Sequence, residues 1–104
     1  MSDALSPSEL KKLLDSGTDI TVLDVRRSQD RVDVEFPIPG ARWKDPEQIA
    51  EWSKELVNSG RILVYCVHGH QVSKGARDFL REQGLRTHIL EGGIEEWQAF
   101  SKGS

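Results

Sequence analysis

The sequence predicts an α/β fold: a central, mainly parallel sheet flanked by helices on both faces. Three observations lead there. Short apolar, β-branched runs (ITVLDV at 20–25, ILVY at 62–65) alternate with segments whose apolar residues recur at helical spacing. Runs that are apolar throughout suit strands covered on both sides, as in parallel sheets. Glycine, proline or serine stands between successive segments, where turns are needed.

Each element has its own signal. Ser6-Pro7-Ser8-Glu9 is a capping box with proline at the first helical position. Leu10, Leu13 and Leu14 continue that helix, and Gly17 stops it. Ile20 to Val25 is a buried strand. Ser28 caps a short helix through about Val34. The turn PIPG at 37–40 leads into a short strand at Ala41-Arg42-Trp43. Asp45-Pro46-Glu47-Gln48 opens a helix with Ile49, Trp52 and Leu56 on one face, closed by Asn58-Ser59-Gly60. Arg61 to Tyr65 is the second strong strand. A helix from about Ser73 carries Ala76, Phe79 and Leu80 and ends at Gly84. Arg86 to Leu90 is a further strand. Gly92-Gly93 breaks the chain before a last short helix with Ile94, Trp97 and Phe100.

The totals bound the function. At 104 residues, 37% apolar and 30% charged, the chain is expected to be one soluble domain spanning 1–104. A net charge of −3 gives no basic excess for nucleic acid or an anionic membrane surface. The apolar runs fall far short of the ~20 residues that cross a bilayer. MSDALSPSEL has neither the basic nor the apolar region of a signal peptide. A single cysteine cannot form an internal disulfide, so a reducing cytoplasm is expected, and the chain's small size is consistent with a monomer.

That cysteine opens the most informative stretch, CVHGHQVS at 66–73, between a buried strand and a helix. In parallel sheets, sites lie beyond the carboxyl ends of strands. A thiol attacks as the thiolate, which a helix N-terminus or nearby cations favour. The backbone N–H groups of Val67, His68, Gly69, His70, Gln71 and Val72 could converge on the sulfur as an anion cradle. Gly69 supplies a permissive position for the curl. His68 and His70 either shape the loop or offer donors to a substrate. Metal is not expected: His88 is the only other histidine, and zinc wants three or four ligands. No motif calls for a cofactor.

Four pieces resemble the rhodanese family of sulfurtransferases, in order and over nearly the whole chain. LSPSELKKLL is similar to that family's opening helix, and VLDVRRSQD to its Asp-Val-Arg strand end. FPIPGA is similar to its Ile-Pro-Gly-Ala turn. VYCVHGHQVSKGARDFL followed by LEGGIEEW is similar to its active loop and Gly-Gly-Trp ending. The resemblance implies a five-stranded parallel sheet and ping-pong sulfur transfer. Cys66 would accept a sulfane sulfur from thiosulfate or a persulfide, small or protein-borne. It would pass that sulfur to cyanide or a thiol. The cradle of 67–72 and Ser73 would hold the charged sulfur.

One departure matters. Rhodanese loops commonly have serine or threonine six positions after the cysteine. Here Val72 stands there and Ser73 follows, which reads as a seven-residue loop, Cys66 to Val72. Related phosphatases use such a loop for phosphate, so phosphatase or arsenate-reductase chemistry is the rival reading. A non-catalytic binding module is the other. The phosphatases place a clamping arginine where Val72 stands, and its loss would forfeit transition-state stabilisation. Asp24 and Arg26 read as a pair supporting the site. Arg26, Arg27 or Arg42 could instead reach the pocket. Trp43 is a core anchor or a substrate contact.

Overall fold

Ser6 and Glu9 exchange the expected capping bonds: the Glu9 N–H donates to Ser6 Oγ (3.2 Å), and the Ser6 N–H donates to the Glu9 carboxylate (3.0 Å). The Ser6 N–H, the Ser6 hydroxyl and Lys12 hold the Glu9 carboxyl below its ordinary value. This box starts α1 (Pro7–Asp15) in a computed structural model that describes residues 4–31, 34–68 and 71–103. The described chain continues as β2 (Ile20–Asp24), β3 (Arg42–Trp43), α2 (Ile49–Trp52), β4 (Arg61–Tyr65), α3 (Gln71–Glu82), β5 (Thr87–Leu90) and α4 (Gly93–Lys102). A two-residue strand, β1 (Ala4–Leu5), precedes them.

Among the described residues the sheet has five strands in the order β1-β5-β4-β2-β3, and every pairing is parallel. The two central strands run level, from Ile20 beside Arg61 to Asp24 beside Tyr65. Their carboxyl ends therefore release Val25 and Cys66 side by side. The Val25 N–H bonds the Tyr65 carbonyl at 2.9 Å.

Side-chain alternation divides the core into two layers. Leu23, Ile62, Val64 and Ile89 face Trp52 of α2 and Ala76 and Leu80 of α3. Val22, Leu63, Tyr65 and Leu90 face Leu10 of α1 and Ile94 and Trp97 of α4. The helices thus cover both faces, as the apolar strands require.

Four local expectations change. β1 carries no periodic signal: two residues suffice because they only add an edge to β5. The helix expected from Ser28 to Val34 is a single 3₁₀ turn, Ser28–Asp30. No side chain caps it, and Arg31 is already extended; Val32 and Asp33 lie outside the described residues. The helix expected from Ser73 starts earlier, at Gln71. Gln71 and Val72 therefore lie in its first turn. The second helix is broken too, with 3₁₀ turns at Pro46–Gln48 and Ser53–Leu56 flanking α2.

Candidate active site

Cys66 follows directly on β4 and is 6% exposed. Its thiol donates to Ser73 Oγ at 3.2 Å. Ser73 is fully buried in the first turn of α3, so the sulfur rests at that helix's amino end. The first N–H groups of a helix have no partner within it, and the helix dipole is positive there. Both features suit an anion bound at that end.

The other side of the loop is held by α4. The Ile94 N–H donates to the Cys66 carbonyl (2.9 Å), and the Glu95 N–H to the Val67 carbonyl (3.2 Å). In a trans peptide the C=O and the next N–H point opposite ways. Binding these two carbonyls to α4 therefore turns the N–H groups of Val67 and His68 away from α4. His68 Nδ1 also lies 2.8 Å from Glu95 Oε2, between two exposed side chains.

Beside the sulfur, Asp24 and Arg26 leave the end of β2 as a buried pair. Arg26 Nη2 lies 2.7 Å from Asp24 Oδ2, its Nε lies 3.0 Å from both carboxylate oxygens, and its N–H donates to Oδ1 at 2.9 Å. The hydrogen bond to Asp24 holds the guanidinium above its ordinary value, although burial opposes this. Trp43 lies behind the pair: its indole N–H donates to the Arg26 carbonyl (2.8 Å), and Arg31 stacks 4.4 Å from its ring centre.

Tyr65 completes this cluster. Burial, reinforced by Asp24, pushes its hydroxyl far above the ordinary tyrosine value. It is the only tyrosine, so a tyrosinate absorbance titration reads it alone. A folded value above the unfolded one means stability is intact below about pH 10 and is lost as pH rises beyond it. We expect tyrosinate to form only above pH 10, together with alkaline unfolding seen by circular dichroism. A midpoint near 10 in still-folded protein would show a solvated hydroxyl instead.

A hollow of about 370 Å³ opens over the cysteine. Arg26, Arg27, Val67, His68, Gln71 and Val72 line it with Cys66; Asp30, which the sequence did not single out, completes the wall. Ser73 touches the sulfur from α3, and Asp24 and Trp43 contact Arg26. Arg42 is not brought here. It is exposed on β3 and lines a separate depression with Lys44 and Glu55. Gly69 and His70 lie outside the described residues. Tyr65 and Glu95 were also missed, because neither has a sequence neighbour that hints at Asp24 or His68. Among the described residues, no group of three or more histidine, cysteine, aspartate or glutamate side chains could hold a metal.

A family model, the rhodanese-like domain, matches residues 6–100. The chain belongs to that family. A rhodanese-related protein from Thermoplasma volcanium superposes with a TM-score of 0.76 at 27% identity, over 96% of this chain and 92% of its own. A thiosulfate sulfurtransferase from Pseudomonas aeruginosa gives 0.78 at 24% identity, covering 97% of this chain but 19% of its own. A Rhodopseudomonas palustris protein of unknown function, described as a possible tyrosine phosphatase, gives 0.82 at 20%, over 96% of this chain and 82% of its own. The last two likenesses speak for the rhodanese-like fold alone. No curated protein matches the chain. No helix among the described residues is long and apolar enough to cross a membrane.

Proposed function

We propose that this rhodanese-like chain is a sulfurtransferase whose Cys66 cycles between thiolate and persulfide. The observation that carries the reading is the seat of the sulfur. It lies at the amino end of α3, 3.2 Å from the buried Ser73 hydroxyl, in a hollow open to small molecules. With thiosulfate, the Cys66 thiolate attacks the outer sulfur. The new S–S bond forms as the old one breaks, and sulfite leaves with the bonding pair. With cyanide, the acceptor carbon takes the outer sulfur as thiocyanate and returns the thiolate. Charge balances in both steps, and neither consumes a proton. The terminal sulfur of the persulfide is an anion. Fixed backbone donors and the Ser73 hydroxyl can meet it without reorganising.

The charges around the hollow favour sulfur over phosphoryl transfer. Val72 occupies the position of the phosphatase clamp. Arg26 is committed to Asp24 in a bidentate pair. A phosphoryl group would find neither the usual clamp nor a free Arg26. The partners we propose are a small sulfane donor or a persulfide, with cyanide or a thiol as acceptor. The setting we propose is a reducing cytoplasm, with the chain acting as a monomer.

Intact-mass spectrometry tests this directly. Reduced protein mixed with thiosulfate should gain one sulfur, lose it on adding cyanide with release of thiocyanate, and gain none as Cys66→Ala. If folded, reduced protein takes sulfur from neither thiosulfate nor any persulfide, the enzymatic reading falls. Turnover of an aryl phosphate or arsenate, abolished in Cys66→Ser, would replace it with the oxyanion reading.

A further inference from the structure

Gly75 is a glycine that the fold does not explain. It stands inside α3, where glycine is worse than alanine by about 1 kcal/mol. It is not among the glycines of positive φ, and a Cβ built on it meets nothing within 4 Å. Neither backbone conformation nor close packing therefore calls for it. What a side chain there would fill is a groove of about 580 Å³, within the usual range of small-ligand sites. Ile49, Val72, Ala76 and Phe79 give this groove an apolar wall. Arg27 and Val72 line both the groove and the hollow over Cys66, so the two adjoin.

The charges at the edge specify the occupant. No salt bridge or side-chain hydrogen bond among the described residues engages Arg27, at the junction with the hollow. The same holds for the Glu47 carboxylate, which lines the groove but not the hollow. A ligand with a carboxylate near its sulfur and an ammonium farther off would meet both.

We propose that this groove binds the organic body of a small, zwitterionic, amino-acid or short-peptide thiol, which enters as its persulfide, and that Gly75 keeps the groove clear for it. This rests on the sulfur-transfer reading of Cys66. The Cys66 thiolate attacks the outer sulfur of R–S–SH. The Cys66 S–S bond forms as the bond to the inner sulfur breaks. The R–S⁻ leaving group departs with that electron pair and takes a proton from water. The proton on the outer sulfur stays, giving Cys66–S–SH.

The test compares rates of sulfur loading onto Cys66, read by quenched intact mass, from glutathione persulfide and from thiosulfate. Gly75→Ala should melt a few degrees higher than wild type, as a helix-interior glycine replaced in open space should. Gly75→Phe should lower the ratio of glutathione persulfide loading to thiosulfate loading at least tenfold. Arg27→Glu should erase any preference for glutathione persulfide over its diethyl ester. An unchanged ratio in Gly75→Phe of wild-type melting temperature overturns the proposal. If that variant melts low, Gly75→Gln carries the same comparison. Wild type that loads from thiosulfate but not from glutathione persulfide, or only from a protein-borne persulfide, also overturns it and leaves sulfur transfer standing. Wild type that loads from no donor removes the underlying reading instead.

Discussion

Gly93→Ala is expected to destabilise the protein by about 3 kcal/mol or more and to abolish sulfur loading at Cys66. Gly93 opens α4 with φ +65° and is buried. A left-handed backbone alone costs a non-glycine residue about 1–2 kcal/mol. The added methyl would also overlap the Cys66 carbonyl oxygen, and it would sit 2.5 Å from the Val67 oxygen and 2.6 Å from the Val67 carbon. These are main-chain atoms already bonded to the N–H groups of Ile94 and Glu95, so they cannot yield one at a time. Relief would need α4 and the loop that follows Cys66 to part. Gly17 is the natural control. It has φ +75°, but an added Cβ meets nothing within 4 Å. Gly17→Ala should therefore show the backbone cost alone, with loading intact. In thermal melts, Gly93→Ala should fall more than about 10 °C below wild type and Gly17→Ala by half of that or less. Equal losses would mean that contact with the loop contributes nothing.

The same contact shows how far sequence reasoning reaches. Gly92-Gly93 reads plainly as a break before the last helix. That its neighbours' amides hold the two carbonyls after the strand is a tertiary fact with no local signature. Local signals with their own chemistry were legible: the Ser6-Glu9 box, the two central strands and the thiol at a strand end. The capping partners are three residues apart, and the strands announce burial by composition. What escaped depends on distant pairing. β1 exists only as an edge to β5. The start of α3 at Gln71 has no local signal, because His70-Gln71-Val72 holds none of the usual capping residues. In sequence Ser73 stands one place beyond the family position, yet its hydroxyl is the one on the sulfur. Arg42 and Arg27 look alike in sequence; strand β3 carries one away from the hollow, and the chain leaving β2 brings the other to its wall. The groove was invisible because three separated segments build it.

Asp24→Ala should be the other severe substitution, with a loss of about 3–5 kcal/mol, because it leaves a buried guanidinium without its carboxylate. Asp24 is 5% exposed and Arg26 8%. The carboxylate takes both the guanidinium and the Arg26 N–H, so its removal strands two donors at once. Arg26→Ala strands the carboxylate instead, and should look similar near neutral pH. The two variants part in acid. An orphaned carboxylate can take a proton and become neutral, whereas a guanidinium cannot shed one at any pH in which proteins fold. Lowering the pH from about 7 to about 4.5 should therefore narrow the gap in melting temperature between Arg26→Ala and wild type, while the Asp24→Ala gap stays wide. A loss below about 1 kcal/mol in Asp24→Ala would place the pair among solvated surface bridges. A matching acid response in both variants would mean that water reaches the guanidinium once its partner is gone. Either result would remove the pair as the rigid wall of the Cys66 hollow. A large, acid-insensitive loss would establish why Arg26 is not free to clamp a substrate: its charge is already committed to the Asp24 carboxylate at the end of β2.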